Sequence, residues 1–168
     1  MKDIGEVIKT GLCIGCGVCA FSDSIGKMAF SEKHDQNIPL LTNKNYDDKL
    51  AFEICPGKGY NIVEESESLY SPSQYDLELG HIYNQYAAFS NNKEVMKNAS
   101  SGGIMSQIPI YLLEKKIVDR VLTTQFNFAS GVSTVCILAK NKAEILQSQG
   151  SKYCPVDLSE AILEIKNH

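Results

Sequence analysis

A chain of 168 residues with 43% hydrophobic side chains is long enough for one ordinary domain or two small ones, and apolar enough to pack a core. Its net charge of −4, from 16 basic and 20 acidic side chains, argues against a nucleic-acid surface, and no apolar run approaches the ~20 residues of a membrane span. The opening Met1-Lys2-Asp3-Ile4-Gly5-Glu6 has no apolar signal segment, so the expected location is the cytoplasm, where thiols stay reduced. Six cysteines in such a setting read as ligands or free thiols rather than as a disulfide framework.

In chain order, Ile4, Val7 and Ile8 recur at helical spacing and predict a short turn leading into Cys13. Lys27 to Ser31 and Ile38 to Leu41 read as strands, joined by a polar loop over residues 32–37. Asn45 is placed to cap a helix whose Tyr46, Leu50 and Ile54 share a face, and Pro56-Gly57 stops it with Cys55 at its C-terminal end. Residues 64–80 are acidic, serine-rich and broken by a proline, the composition of a linker between a first unit, 1–63, and a second, 81–168.

Beyond that segment the pattern alternates. Ile82 to Ser90 reads as a strand, Asn92 to Ala99 as a short capped helix, and Gly102 to Lys116 as a longer helix that Pro109 should kink or start late. Val118 to Thr124 and Thr134 to Lys140 are β-branched runs that predict buried strands. Asn141 to Gln149 reads as a helix, and Asp157-Leu158-Ser159-Glu160 resembles the capping box that opens another. Strands alternating with helices predict an α/β layer structure here, after an α+β first unit. The sequence carries no internal repeat and no low-complexity tract.

Chemistry concentrates in Cys13-Ile14-Gly15-Cys16-Gly17-Val18-Cys19, a C-x2-C-x2-C run that is the compact part of an iron–sulfur ligand set. Three thiolates must reach three corners of a cube a few ångströms wide, and a tight loop with glycines between the ligands can curl around it. In two-cluster ferredoxins a fourth cysteine follows three residues later; here that position is Asp23, so one cluster is expected. Cys55-Pro56 supplies the distal cysteine of a 4Fe–4S site, although a three-iron cluster could stand on the loop thiolates alone. Zinc is the rival metal, but structural zinc sites use separated pairs of ligands, which three evenly spaced cysteines fit poorly. Cys136 reads as a small buried hydrophobe and Cys154 as an ordinary thiol. His34, His81 and His168 fall in a loop, at a linker end and at the terminus, so no acid–base catalyst stands out.

Two short motifs in the second unit admit two readings each. Ser100-Ser101-Gly102-Gly103 opens a helix and offers either a phosphate seat on unpaired N–H groups or a Ser101 N-cap with glycines that permit close packing. Gly150-Ser151-Lys152-Tyr153 offers either a phosphate contact with a stacking ring or a plain surface turn.

The order C-x2-C-x2-C, Cys-Pro-Gly, SSGG, YLLEKKIVDRVLTT and GSKY, running from about Gly11 to the end of the chain, resembles the coenzyme F420 hydrogenase/dehydrogenase beta subunit family. The resemblance implies a ferredoxin-like single-cluster domain followed by part of an α/β flavin-binding domain. It implies an iron–sulfur flavoprotein in which Cys13, Cys16, Cys19 and Cys55 bind a 4Fe–4S cluster. FAD would lie at Ser100, Ser101, Gly102 and Gly103 with Lys152 and Tyr153 close by, and electrons would pass on to a deazaflavin or similar acceptor. The implied partners are a donor or acceptor protein and a second chain completing the flavin site, since related chains continue past the GSKY region; neither nucleic acid nor a membrane is expected. Met96 stands near the place where relatives often carry an arginine, with Lys97 beside it as the available cation. The alternatives are a non-enzymatic ferredoxin-like electron-transfer module and a fragment without flavin activity.

Overall fold

The computed structural model describes residues 1–22, 25–41, 48–70, 74–128 and 133–167. Helix α1, Ile4–Lys9, starts where Asp3 caps the N–H of Glu6 at 2.8 Å, and it buries Ile4 and Val7. The cysteine loop follows and closes into a 3-10 turn over Val18–Phe21. Strands β1, Ile25–Ser31, and β2, Gln36–Leu41, pair antiparallel as the expected hairpin, with register Met28 opposite Pro39 and Ser31 opposite Gln36. Helix α2, Lys49–Glu53, is capped by Asp48, whose carboxylate accepts from the Ala51 N–H at 2.9 Å. The expected cap Asn45 and the face residue Tyr46 lie outside the described residues, as do Asp23 and His168. Cys55 then opens a 3-10 turn over Pro56–Lys58.

The acidic segment has regular structure that its composition hid. Helix α3 runs over Ile62–Tyr70 without burying a residue, and strands β3, Gln74–Asp76, and β4, Gly80–Ile82, make a three-pair hairpin. Acidic side chains in the first turn of α3, Glu64 and Glu65, suit the positive end of a helix. The strand expected over Ile82 to Ser90 is not formed beyond Ile82. The cause is visible in exposure: Tyr83, Tyr86 and Phe89 are 82%, 84% and 71% exposed, so these aromatics find no sheet to pack on.

Helix α4, Lys93–Lys97, is capped by Asn92, and helix α5, Ile104–Glu114, runs through Pro109. Strands β5, Val121–Asn127, and β6, Ser133–Ala139, pair antiparallel from Val121 opposite Ala139 to Asn127 opposite Ser133. This corrects the expected α/β layering. Too few residues separate these runs for a parallel crossover, so they can only fold back on each other. Helices α6, Lys142–Gln147, and α7, Ser159–Lys166, complete the chain. The fold is mixed α+β, with three two-stranded antiparallel sheets among the described residues.

Apolar side chains gather in two separate clusters. Ile4, Cys19, Ile25 and Ala51 form one, with Met28, Phe52 and Cys55 against it. Val95, Ile110, Ala139 and Ile145 form the other, with Leu113, Val121 and Ile137. Helix α7 belongs to the second half of the sequence yet packs on the 3-10 turn that follows the cysteine loop, as well as on β6.

Candidate functional site

Cys13, Cys16, Cys19 and Cys55 line one cavity. Local backbone chemistry explains how. Gly15 and Gly17 hold φ of 68° and 72°, left-handed values that reverse the chain twice within seven residues. Gln36 on β2 donates to the Cys13 carbonyl, which fixes the loop to the hairpin. Cys55 is brought to the loop by the turn after it. A Cβ on Gly57 would lie 2.6 Å from the Leu12 carbonyl oxygen and 2.7 Å from Val7 Cγ1, so only glycine lets the turn seat against the chain entering Cys13. Ile4, Val7, Ile8, Met28 and Pro39 make the remaining wall apolar. The free volume between the side chains is about 20 Å³.

Burial pushes the thiols of Cys13, Cys16 and Cys19 above the ordinary cysteine range, and Cys19 furthest, to about 12. After burial, the neighbouring thiols raise Cys13 and Cys19 further through mutual charge repulsion. In the free chain these groups are therefore protonated at neutral pH, and a ligand that takes them as thiolates must displace their protons. Four soft thiols on one apolar cavity is a donor set with the chemistry of iron–sulfur ligation. Among the described residues no three His, Cys, Asp or Glu side chains converge closely enough to hold a single metal ion. Cys136 is buried in β6 beside the Thr124 hydroxyl, and Cys154 is half-buried; neither lines the cavity.

A second concavity, about 720 Å³, opens at the start of α5. Ser100, Ser101, Gly102 and Gly103 line it, joined across the gap by Ser148, Gly150 and Ser151 after α6. The structure bears on one reading of the glycine-serine turn, the Ser101 cap with close-packed glycines. Gly103, with φ of 71°, is the N-cap, and no side chain caps the helix, so Ser101 does not play that part. Gly102 packs closely, as its lack of a side chain allows: a Cβ there would sit 2.9 Å from the Ala88 carbonyl oxygen. Its own carbonyl accepts from Ser90 N–H at 2.7 Å. Across the cleft Ser151 Oγ stands 3.4 Å from Ser100 Oγ, and Gln149 Nε2 donates to the Val95 carbonyl at 2.8 Å and to Ser106 Oγ at 3.2 Å.

Lys152 and Tyr153 are not among the residues lining this cleft. The Lys152 ammonium donates to the carbonyls of Ser148, Gln149 (3.1 Å) and Gly150 (2.9 Å), closing the C-terminal end of α6, and lies 5.1 Å from the centre of the Phe126 ring. Burial lowers its pKa. Tyr153 is 95% exposed. Gly150 and Ser151, the first half of the same motif, are the residues that face the cleft, and a glycine with φ of 89° at the end of a helix was the signal for it.

The profile of the family described as coenzyme F420 hydrogenase/dehydrogenase, beta subunit N-term matches residues 85–163. Over that stretch the chain is similar to this family. The match spans the SSGG turn, the α5–β5 segment and the GSKY motif, and therefore the whole second cleft; the four cavity cysteines precede it. No curated protein matches the chain. No helix among the described residues is long and apolar enough to cross a membrane.

Proposed function

We propose that this chain is an oxidoreductase subunit relaying electrons between a 4Fe–4S cluster on Cys13, Cys16, Cys19 and Cys55 and an FAD at the cleft before α5, with coenzyme F420 or a similar deazaflavin as acceptor. The observation that carries the reading is the pairing, in one chain, of a four-thiol cavity with a cleft in the matched family domain. When bound, these groups supply the electron and hydride chemistry; the protein supplies position and charge. The cysteines give up their raised-pKa protons to become ligands, and Gly15 and Gly17 allow the loop backbone to approach inorganic sulfur. At the cleft, the N-terminus of α5, which no side chain caps, would offer backbone N–H groups and the positive end of its dipole to an anion, which suits a pyrophosphate. Ser100, Ser101 and Ser151 add hydroxyls on the same rim. Lys152 and Tyr153 lie next in the chain after that rim, and Lys97 is the nearby cation in sequence. A donor or acceptor protein and a chain completing the flavin site are the expected partners, in the cytoplasm.

Anaerobic reconstitution followed by iron, acid-labile sulfide and flavin analysis tests this. About four irons with stoichiometric flavin is the expected result. Four irons without flavin would favour a simple electron-transfer module, and zinc without sulfide would overturn the cluster.

A further inference from the structure

The start of α7 closes on the cysteine loop through a connected set of contacts. Leu158 N–H donates to the Cys16 carbonyl at 2.9 Å. One oxygen of the Asp157 carboxylate accepts from Ser159 N–H at 2.8 Å, and the other accepts from Asn37 Nδ2 at 3.1 Å. Asn37 in turn backs the other glycine of the loop: a Cβ on Gly15 would lie 2.8 Å from the Asn37 carbonyl oxygen. Gly17 faces Asp157 itself, since a Cβ there would lie 2.4 Å from Asp157 Oδ1 and 2.8 Å from Ser159 N. Both glycines between the ligands are thus pressed against a single Asn37–Asp157 pair. The carboxylate stands in a cleft of about 490 Å³ that Lys27 and Glu160 also line.

Resting on the cluster reading above, we infer that Asp157 is a positioning residue for the iron–sulfur group: it holds the Gly15–Gly17 backbone in place and sets a negative charge beside Cys16 that lowers the reduction potential. Reduction adds an electron to the cluster, so a fixed carboxylate behind its loop opposes that step by simple Coulomb repulsion. A low potential suits a centre that must donate to a flavin. Because Asp157 lies within residues 85–163, the matched domain would tune a centre whose ligands all precede it.

The test is an EPR-monitored dithionite titration of the reconstituted full chain, comparing wild type with Asp157→Asn, Asp157→Ser and Asp157→Glu. Asparagine and serine remove the charge while leaving an acceptor for Ser159 N–H; glutamate keeps the charge. The expected result is an upward shift of the midpoint potential in both neutral variants and a wild-type value in Asp157→Glu. A cluster-loaded neutral variant that titrates with wild type overturns the inference. So do neutral variants that take up no cluster, because Asp157 would then serve only to fold the loop. A wild-type chain that takes up no iron and sulfide overturns the cluster reading itself, a result distinct from an unshifted potential.

Discussion

Gly17 and Gly11 share a backbone conformation but not an environment, and substituting each with alanine separates strain from packing. Their φ values are 72° and 77°, so either alanine incurs the left-handed penalty of roughly 1–2 kcal/mol. Nothing lies within 4 Å of a Cβ at Gly11, so that penalty is the whole cost there. At Gly17 the new methyl would meet Asp157 Oδ1 at 2.4 Å and the Ser159 backbone nitrogen at 2.8 Å. The carboxylate could swing aside, but the helix backbone cannot move alone. Its retreat breaks the Leu158-to-Cys16 bond and strains the Asn37–Asp157 pair. At about 1 kcal/mol per hydrogen bond, plus about 1–3 for overpacking, Gly17→Ala should cost about 3 kcal/mol more than Gly11→Ala. Urea denaturation of the metal-free variants measures both against wild type. Equal losses for the two would refute the clasp between α7 and the cysteine loop.

Three further outcomes follow from local structure. Lys116 ends α5 at φ of 54°, with its N–H donating to Leu113 at 3.0 Å and Ile117 N–H to Leu112 at 2.9 Å. That is the position glycine fills best, so Lys116→Gly should stabilise the chain by about 0.5–1 kcal/mol, read as a higher urea midpoint. Asn141 caps α6 by accepting from Glu144 N–H at 3.1 Å while donating to that residue's carboxylate at 2.9 Å, and Asn141→Ala should cost about 1 kcal/mol in the same assay. The metal-free chain should also lose stability as pH rises. Cys13, Cys16, Cys19 and Cys136 are all raised in the folded state, so above the ordinary thiol value of 9.0 the folded chain holds more protons than the unfolded one. Stability is then lost progressively from about pH 9 towards about pH 12, where Cys19 titrates. Urea midpoints that stay flat between about pH 8 and about pH 10 would contradict the burial of these thiols.

Local signals in the sequence survived into the structure wherever they were self-sufficient. The β1–β2 hairpin follows from two apolar runs flanking a polar loop, and α4 and α6 start at the asparagines that their sequence placed there. The cysteine spacing, with Pro56-Gly57 after Cys55, was enough to suggest that four thiols share a site, and all four do line one cavity. What was not legible depended on partners distant in sequence. One miss was local: strand alternation suggested layers, although the short connection between β5 and β6, readable in the sequence, allows only antiparallel pairing. The aromatic-rich run from Ile82 to Ser90 looked like a strand because hydrophobicity says nothing about whether a neighbouring strand exists. Asp157 looked like part of a helix start; only the fold reveals that it reaches the cysteine loop.

The position of α7 bears on why the two apolar clusters need each other. Each is small, built around four buried side chains, and a core of that size gives little margin over the entropy of ordering its residues. Specific contacts join the segments that hold them. They include the Leu158–Cys16 bond, the Asn37–Asp157 pair, and Lys166 donating to the Phe21 carbonyl at 2.9 Å while its ammonium lies 5.6 Å from the Phe21 ring centre. All three fall on the cysteine loop or on the hairpin and turn beside it, and none falls on the acidic α3 segment. A joint that only held two units together could sit anywhere on their surfaces. One placed on the backbone of the cysteine loop makes the geometry around the four thiols depend on α7.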